Sequence, residues 1–259
     1  MGQCGTKKII GVTGKGGSGK TAFVSLLVKV LSEKGRVLAI DGDSAGGLQY
    51  TLGVKVSKTI GDIRKELIHN PAMRQEVKDK PIPTVITEAL TKGRNFELLV
   101  MGGAEGPGCY CHVNELLKYG IETLSQDYDF VLIDCEAGAE QISRRILDKC
   151  DVLLIMVDNS ARSMQVARVI RKLSEEILGK GFNKEGLVIN RYRQGGEEVL
   201  DRAKSIGLDI LGCIPEDSNI TEYDRTGRPL TEIPETSPSL KAVEDVLDKL
   251  INEGEPINQ

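Results

Sequence analysis

The stretch that decides the fold is Gly14-Lys15-Gly16-Gly17-Ser18-Gly19-Lys20-Thr21, which lies between the apolar runs 8–13 and 22–31. Its four glycines allow the backbone to turn tightly, so that successive N–H groups and the start of the next helix can surround phosphate oxygens. Lys20 supplies a positive charge for the β- and γ-phosphates of a nucleotide, and the Thr21 hydroxyl can bind Mg²⁺. The pattern predicts a phosphate-binding loop between a strand and a helix rather than a plain surface turn. We expect nucleotide contacts from the whole loop and from Ala22, which follows it.

Acidic residues follow two of the apolar segments further along the chain. Residues 36–41 are interpreted as a buried strand that leads into Asp41-Gly42-Asp43, and residues 128–134 are interpreted as a second strand that ends in Asp134. Alternation of such strands with helical segments predicts an α/β fold, a mostly parallel twisted sheet with helices on both faces. Ligands bind at the carboxyl edge of such sheets, so we expect these carboxylates near the phosphates. The alternative for Asp41 and Asp43 is that they cap a turn.

The composition bounds the number of domains. A chain of 259 residues with 40% hydrophobic residues can bury one large core. We therefore expect a single domain over residues 1–259, with a flexible start at residues 1–6 and a flexible tail at residues 253–259. A helical segment is predicted over part of residues 54–95, the least informative stretch.

The charge balance excludes several function classes. The chain carries 34 basic and 38 acidic side chains, a net charge of −4, which gives no general attraction to nucleic acid or to anionic lipid. No apolar stretch approaches the ~20 residues of a membrane span, and the first residues lack the apolar region of a signal peptide. We expect a cytoplasmic protein that binds neither nucleic acid nor membrane.

Six cysteines in such a chain are expected to be reduced thiols. Cys135, Cys150 and Cys213 lie in or beside predicted core strands and are interpreted as small core residues. Cys109 and Cys111 precede a helix that is predicted from about residue 115, and we expect them in an extended loop. Because they are two residues apart, both thiolates would project to the same side of such a loop. Two sulfurs are half of a four-coordinate site, and a symmetric dimer would supply the other half for Zn²⁺ or Ni²⁺. Two free loop cysteines or a redox pair are the alternatives.

Lys15, the additional lysine of the loop, narrows the class of nucleotide-binding protein. Lys15 in K-G-G-x-G-K resembles the signature lysine of the deviant Walker A ATPases, which include MinD, ParA, ArsA and nitrogenase iron protein. The resemblance implies that Lys15 reaches the partner's nucleotide in an ATP-promoted homodimer, although a solvated loop charge is the alternative. It also implies that Asp43 orients the attacking water, that Asp41 supports the Mg²⁺ shell and that Asp134 is the Walker B aspartate.

The same resemblance extends to the predicted base site. Asn190 ends the strand predicted at 187–190 and matches the position from which this family hydrogen-bonds adenine. An asparagine that caps a turn at a strand end is the alternative. Pro215 and Glu216 follow the strand that resembles the last core strand of the family, where the loop closes over the base.

The cysteine pair identifies a narrower family. The run 108–114 has the C-x-C-x-x-N spacing of the CooC/AcsF family, and the runs 134–140 and 160–163 are also similar to that family. These accessory ATPases help insert nickel into carbon monoxide dehydrogenase and acetyl-CoA synthase. The resemblance implies a dimeric ATP-hydrolysing metallochaperone with nickel or zinc at the cysteines and one of these enzymes as its client.

Two other functions share the predicted fold. A carrier or reductase of the nitrogenase iron-protein type draws two widely separated cysteines from each chain, rather than one C-x-C. A MinD- or ParA-like positioning ATPase would use a basic membrane helix or basic DNA-binding patches, and it would leave Cys109 and Cys111 unexplained.

Overall fold

The computed structural model of the chain describes residues 7–69, 82–103, 111–143, 146–178, 182–193 and 195–252. The predictions about residues 1–6, residues 253–259 and Cys109 concern positions outside these described residues. Within them the chain forms one sheet of eight strands with helices on both faces, so the predicted fold class is confirmed. The strands are β1 (Lys8–Gly14), β2 (Val37–Asp41), β3 (Thr91–Lys92), β4 (Phe96–Val100), β5 (Phe130–Asp134), β6 (Val152–Val157), β7 (Lys184–Tyr192) and β8 (Asp209–Pro215).

The sheet has the spatial order β3-β4-β2-β5-β1-β6-β7-β8. All neighbouring strands are parallel except β3 and β4, which pair antiparallel at one edge. The strands β2, β3, β4 and β5 lie on one side of β1 within the sheet, and β6, β7 and β8 lie on the other side of β1. The phosphate loop therefore lies near the middle of the carboxyl edge, where open sheets bind ligands.

Helices cover both faces of this sheet. One face carries α3 to α8 and the other carries α1, α2, α9 and α10. Short 3₁₀ turns span Ser125–Asp127 and Leu230–Glu232. The α-helices of the described residues are α1 (Lys20–Leu31), α2 (Leu48–Leu52), α3 (Ile60–His69), α4 (Ile82–Thr87), α5 (Cys111–Leu124), α6 (Glu140–Ser143), α7 (Ala161–Leu178), α8 (Glu197–Lys204), α9 (Ser218–Thr226) and α10 (Pro238–Asn252).

The central strands are mostly apolar because both of their faces are covered, and polar residues lie at or near their ends. In β2, Leu38 and Ile40 join the core on the α3–α8 side, whereas Val37 and Ala39 join the core on the α1 side. Because side chains alternate between the two faces along a strand, this one short strand contributes side chains to two separate cores. The sheet is therefore covered on both faces.

One predicted boundary is wrong. The helix expected from about residue 115 begins at Cys111, which is the first residue of α5. The extended-loop geometry assumed for Cys111 therefore does not hold, since its backbone is helical. The run 102–108 before it is rich in glycine and proline, a loop signal, and the prediction extended that loop over the first turn of the helix.

Candidate functional site

Backbone pairing aligns the acidic residues with the phosphate loop. Asp41 at the end of β2 pairs in register with Asp134 at the end of β5, and Asp134 pairs in register with Val12 of β1. Both carboxylates therefore lie beside the strand that leads into the loop. The sequence prediction that these residues share one edge with the loop agrees with this placement.

The lysine of the loop is buried and weakly held. Lys20 is 7% exposed, and its Nζ lies 3.4 Å from the Gly14 carbonyl oxygen and 3.5 Å from the Lys15 carbonyl oxygen. These are long contacts for a cation, which favours an anionic partner within reach. Gly19 before it has φ 94°, and a Cβ there would lie 2.0 Å from Asn190 Nδ2. The positive φ therefore favours glycine at the turn that starts α1.

Thr21 and Asp134 form the second half of the site. The Thr21 hydroxyl donates a 2.6 Å hydrogen bond to Asp134 Oδ2. The pKa of Asp134 is raised to about 7, chiefly by burial and also by the nearby carboxylate of Asp41, against the opposing effects of Thr21 and Lys20. Asp134 Oδ1 is buried and has no hydrogen-bond partner among the described residues. An unpaired buried carboxylate oxygen beside a threonine hydroxyl suits a hard cation.

These groups fit the Mg-ATP expected of such a loop. Ser18 Oγ is a second buried oxygen without a partner in the described parts of the chain, and it lies within the loop itself. Orphaned polar atoms of this kind are accounted for when a ligand completes them. The loop N–H groups and Lys20 would hold the phosphates, and Thr21 and Asp134 would hold the magnesium. Bound magnesium would supply neutralising charge to the phosphate oxygens.

Asp41 and Asp43 shape the neighbouring loop. Asp41 is fully buried, and its two carboxylate oxygens accept hydrogen bonds from the backbone N–H groups of Asp43 at 3.1 Å and Leu48 at 2.8 Å. Burial raises the pKa of Asp41 to about 6. Asp43 is half-buried, and its Oδ1 accepts from Ala45 N at 2.9 Å. Both aspartates therefore cap turns in this structure, and the roles of Asp43 with water and of Asp41 with magnesium stay predictions.

Lys15 has an internal partner that sequence reasoning missed. Its Nζ lies 3.1 Å from Asp158 Oδ2, and the two side chains are 25% and 15% exposed. The Ser160 hydroxyl and backbone N–H also bind Asp158, so the carboxylate is fixed in place. Asp158 directly follows β6, which neighbours β1, so the carboxyl-edge rule places Asp158 at the same edge as the loop but does not pair it with Lys15. Lys15 is thus a paired charge rather than a solvated one.

The predicted base-contacting residues line a pocket beside the loop. Asn190, Pro215 and Glu216 border a cavity of 410 Å³ that also reaches Thr21 and Ala22. Asn190 Nδ2 donates to the Ser18 carbonyl oxygen at 2.8 Å, and Asn190 Oδ1 accepts from the next backbone N–H at 2.9 Å. The turn-capping alternative therefore describes Asn190 in this structure, and its contact with adenine stays a prediction.

The cysteines divide into two groups. Cys135 and Cys150 are buried free thiols whose pKa values are raised by burial, and Cys213 is half-buried. Their interpretation as core residues agrees with this burial. Cys111 begins α5, whereas Cys109 lies outside the described residues. Within the residues that the structure describes, no three His, Cys, Asp or Glu side chains are grouped as a metal site.

A glycine-rich loop after the central strand, with aspartates at the ends of neighbouring strands, defines a P-loop nucleotide-binding protein. The family model of the CobQ/CobB/MinD/ParA nucleotide binding domain matches residues 9–230, and the chain belongs to this ATP-binding family. None of the described helices is long and apolar enough to cross a membrane.

Individual relatives are consistent with this assignment. The chain is 42% identical over 256 residues to an uncharacterized ATP-binding protein of Methanocaldococcus jannaschii, covering 94% of this chain and 98% of that protein. It is 32% identical to the carbon monoxide dehydrogenase accessory protein CooC of Rhodospirillum rubrum, covering 84% and 87%. The structure of the septum site-determining protein MinD of Pyrococcus horikoshii, complexed with Mg-ADP, matches with a TM-score of 0.70 at 23% identity, covering 95% and 96%. At that identity the MinD structure shows the fold alone.

Proposed function

We propose that this chain is an ATP-hydrolysing, dimeric metallochaperone that assists nickel insertion into carbon monoxide dehydrogenase or acetyl-CoA synthase. The observation that carries the proposal is the position of the C-x-C-x-x-N motif. It spans the end of the connection from β4 and the first residues of α5, and β4 is the neighbour of β2, which ends at Asp41. The cysteine motif thus follows the strand next to one of the nucleotide-site strands. The CooC relative supports the same function.

The chain's own groups provide the parts needed for ATP hydrolysis. Lys20 and the loop N–H groups bind phosphate oxygens, and this binding is the main source of transition-state stabilisation in phosphoryl transfer. Asp134 would hold magnesium as the carboxylate, which requires loss of the proton that its burial favours. Asp43, on the half-exposed loop opposite, holds the attacking water.

Dimer formation links the nucleotide to the metal. Lys15 leaves Asp158 and crosses to the phosphates of the partner's nucleotide, which brings two protomers together. Each protomer contributes Cys109 and Cys111, and the four thiolates bind one nickel ion as cargo. Because the distance between the two cysteine pairs depends on the dimer, nucleotide binding and nickel binding must affect each other equally.

The competing functions make different demands on the same fold. A MinD-like positioning ATPase needs an apolar helix face that is free to bind a membrane. In α10 the apolar residues Val243, Val246 and Leu247 are buried against the core, so these residues are not free to bind a membrane. An iron–sulfur carrier would hold iron and sulfide at its cysteines, whereas the proposed site holds nickel or zinc alone.

Nickel binding to anaerobically purified protein tests the proposal. We expect one nickel ion per two chains in equilibrium titration, with the stoichiometry confirmed by sedimentation. The double variant Cys109→Ser/Cys111→Ser should lose the metal but keep ATP binding, because the motif lies outside the phosphate loop. Cys213→Ser is the matched control, since it removes a thiol away from the motif. Iron and sulfide in the purified protein, or nickel retained by the double variant, would reject the proposal.

A further inference from the structure

Gln141 lies between the two loops that flank the phosphate site, and neither the sequence motifs nor the roles above account for it. It is the second residue of α6, the short helix that follows the loop 135–139. Its side chain is only 3% exposed, and its Nε2 donates a 2.6 Å hydrogen bond to the Gly42 carbonyl oxygen. Gly42 is the residue between Asp41 and Asp43. The carboxamide therefore bonds directly to the loop that carries the proposed water-holding aspartate.

This contact explains why the residue between Asp41 and Asp43 is a glycine. A Cβ at Gly42 would lie 2.5 Å from Gln141 Nε2 and 3.1 Å from the Asp134 carbonyl oxygen, so only glycine allows the carboxamide to approach. Gly42 N also donates to the Asp134 carbonyl oxygen at 2.9 Å. The two loops are thus joined both through their backbones and through Gln141.

The other end of the connection reaches the phosphate loop. Gly138 N donates to the Gly14 carbonyl oxygen at 3.0 Å, and the Thr13 hydroxyl donates to the Gly138 carbonyl oxygen at 2.7 Å. Gly138 precedes α6 by two residues, so a shift of Gly138 displaces the start of that helix. A continuous set of contacts leads from Gly14 through Gly138 and Gln141 to Gly42.

Gln141 also has an unused hydrogen-bonding group. Its Oε1 is buried and accepts no hydrogen bond from any of the described residues. Buried acceptors of this kind are rare in folded proteins, and they call for an explanation at the site where they occur. A carboxamide that only filled core space would have been replaced by an apolar side chain at lower cost.

We propose that Gln141 is a positioning residue that transmits the state of the loop at Gly138 to Asp43. When a nucleotide phosphate binds to the phosphate loop, Gly138 moves and α6 moves with it. Gln141 then moves the Gly42 carbonyl, and with it the neighbouring Asp43, towards the phosphate. The role in turnover rests on the ATP hydrolysis proposed above. The mechanical coupling of the two loops does not depend on turnover.

The test combines kinetics with hydrogen exchange. Gln141→Met keeps the length of the side chain but removes the hydrogen bond, and Ser143→Ala on the exposed side of α6 is the matched control. We expect Gln141→Met to lower kcat by at least about tenfold while the Kd for Mg-ATP changes by less than about twofold. In wild type and Ser143→Ala, a slowly hydrolysed ATP analogue should protect residues 41–48 and 134–143 together. In Gln141→Met only residues 134–143 should be protected.

Two outcomes would overturn the inference. One is a kcat for Gln141→Met within about twofold of wild type, and the other is analogue protection of both segments in that variant. If wild type binds ATP without hydrolysing it, the proposed function fails, and the exchange experiment alone decides the coupling. Should Gln141→Met fail to fold, Gly42→Ala replaces it, since the added Cβ displaces the carboxamide from the other side and should give the same loss of protection in residues 41–48.

Discussion

Burial of Asp134 without magnesium should make the nucleotide-free protein less stable as the pH rises. The pKa of this carboxyl is about 7 in the folded chain against an ordinary value of 3.8. Between these values the folded state binds more protons than the unfolded state, so the stabilisation is present at low pH and is lost as the pH rises through 7. Lowering the pH from about 8.5 to about 5.5 should add roughly 2 kcal/mol to the free energy of unfolding through this group.

Asp134→Asn tests this reasoning because an amide does not titrate. Urea unfolding without nucleotide or magnesium, at the same two pH values, should show a pH-dependent difference that is smaller by roughly 2 kcal/mol in the variant. Asp41→Asn is the matched comparison, and since the pKa of Asp41 is raised only to about 6, its effect should be less than about 1 kcal/mol. Equal pH dependence in wild type and Asp134→Asn would refute the assignment of a buried, uncompensated carboxyl.

Two further predictions concern the nucleotide and the dimer. Lys20→Ala should abolish ATP binding in equilibrium dialysis, whereas Asp43→Ala should bind ATP and lose turnover, and unchanged turnover in Asp43→Ala would exclude its role with water. Lys15→Ala should bind nucleotide as a monomer but fail to dimerise with a slowly hydrolysed analogue in light scattering. Asp158→Asn should instead tighten that dimer by about two- to fivefold, because a partly exposed ion pair contributes roughly 0.5–1 kcal/mol to holding Lys15 within its own chain. Normal dimerisation of Lys15→Ala, or a weaker dimer of Asp158→Asn, would contradict this account.

The sequence predicted the parts of the site that lie next to each other along the chain. The phosphate loop between an apolar strand and an apolar helix, and an aspartate after each of two apolar runs, are local patterns with one physical meaning. Parallel strands that are buried on both faces are also recognisable as apolar runs. The confirmed fold class and the placement of Asp41 and Asp134 at one edge both depend on such local features.

Contacts between distant parts of the chain were not predictable in this way. Lys15 and Asp158 are 143 residues apart in sequence, and Gln141 and Gly42 are 99 residues apart. Neither pair has a spacing that marks it, because the sheet order brings them together. The start of α5 at Cys111 was missed for a different reason, since the glycine- and proline-rich run 102–108 led the prediction to extend the loop to about residue 114.

The central claim is that nucleotide binding and nickel binding are linked through one dimer. The most direct test is to measure the nickel Kd with and without a slowly hydrolysed ATP analogue, and the analogue Kd with and without nickel, on the same anaerobic protein. The account predicts that each ligand changes the affinity of the other by the same factor, and that this factor is lost in Lys15→Ala and in Cys109→Ser/Cys111→Ser. Nickel binding with an affinity that does not change when the analogue is added would contradict it.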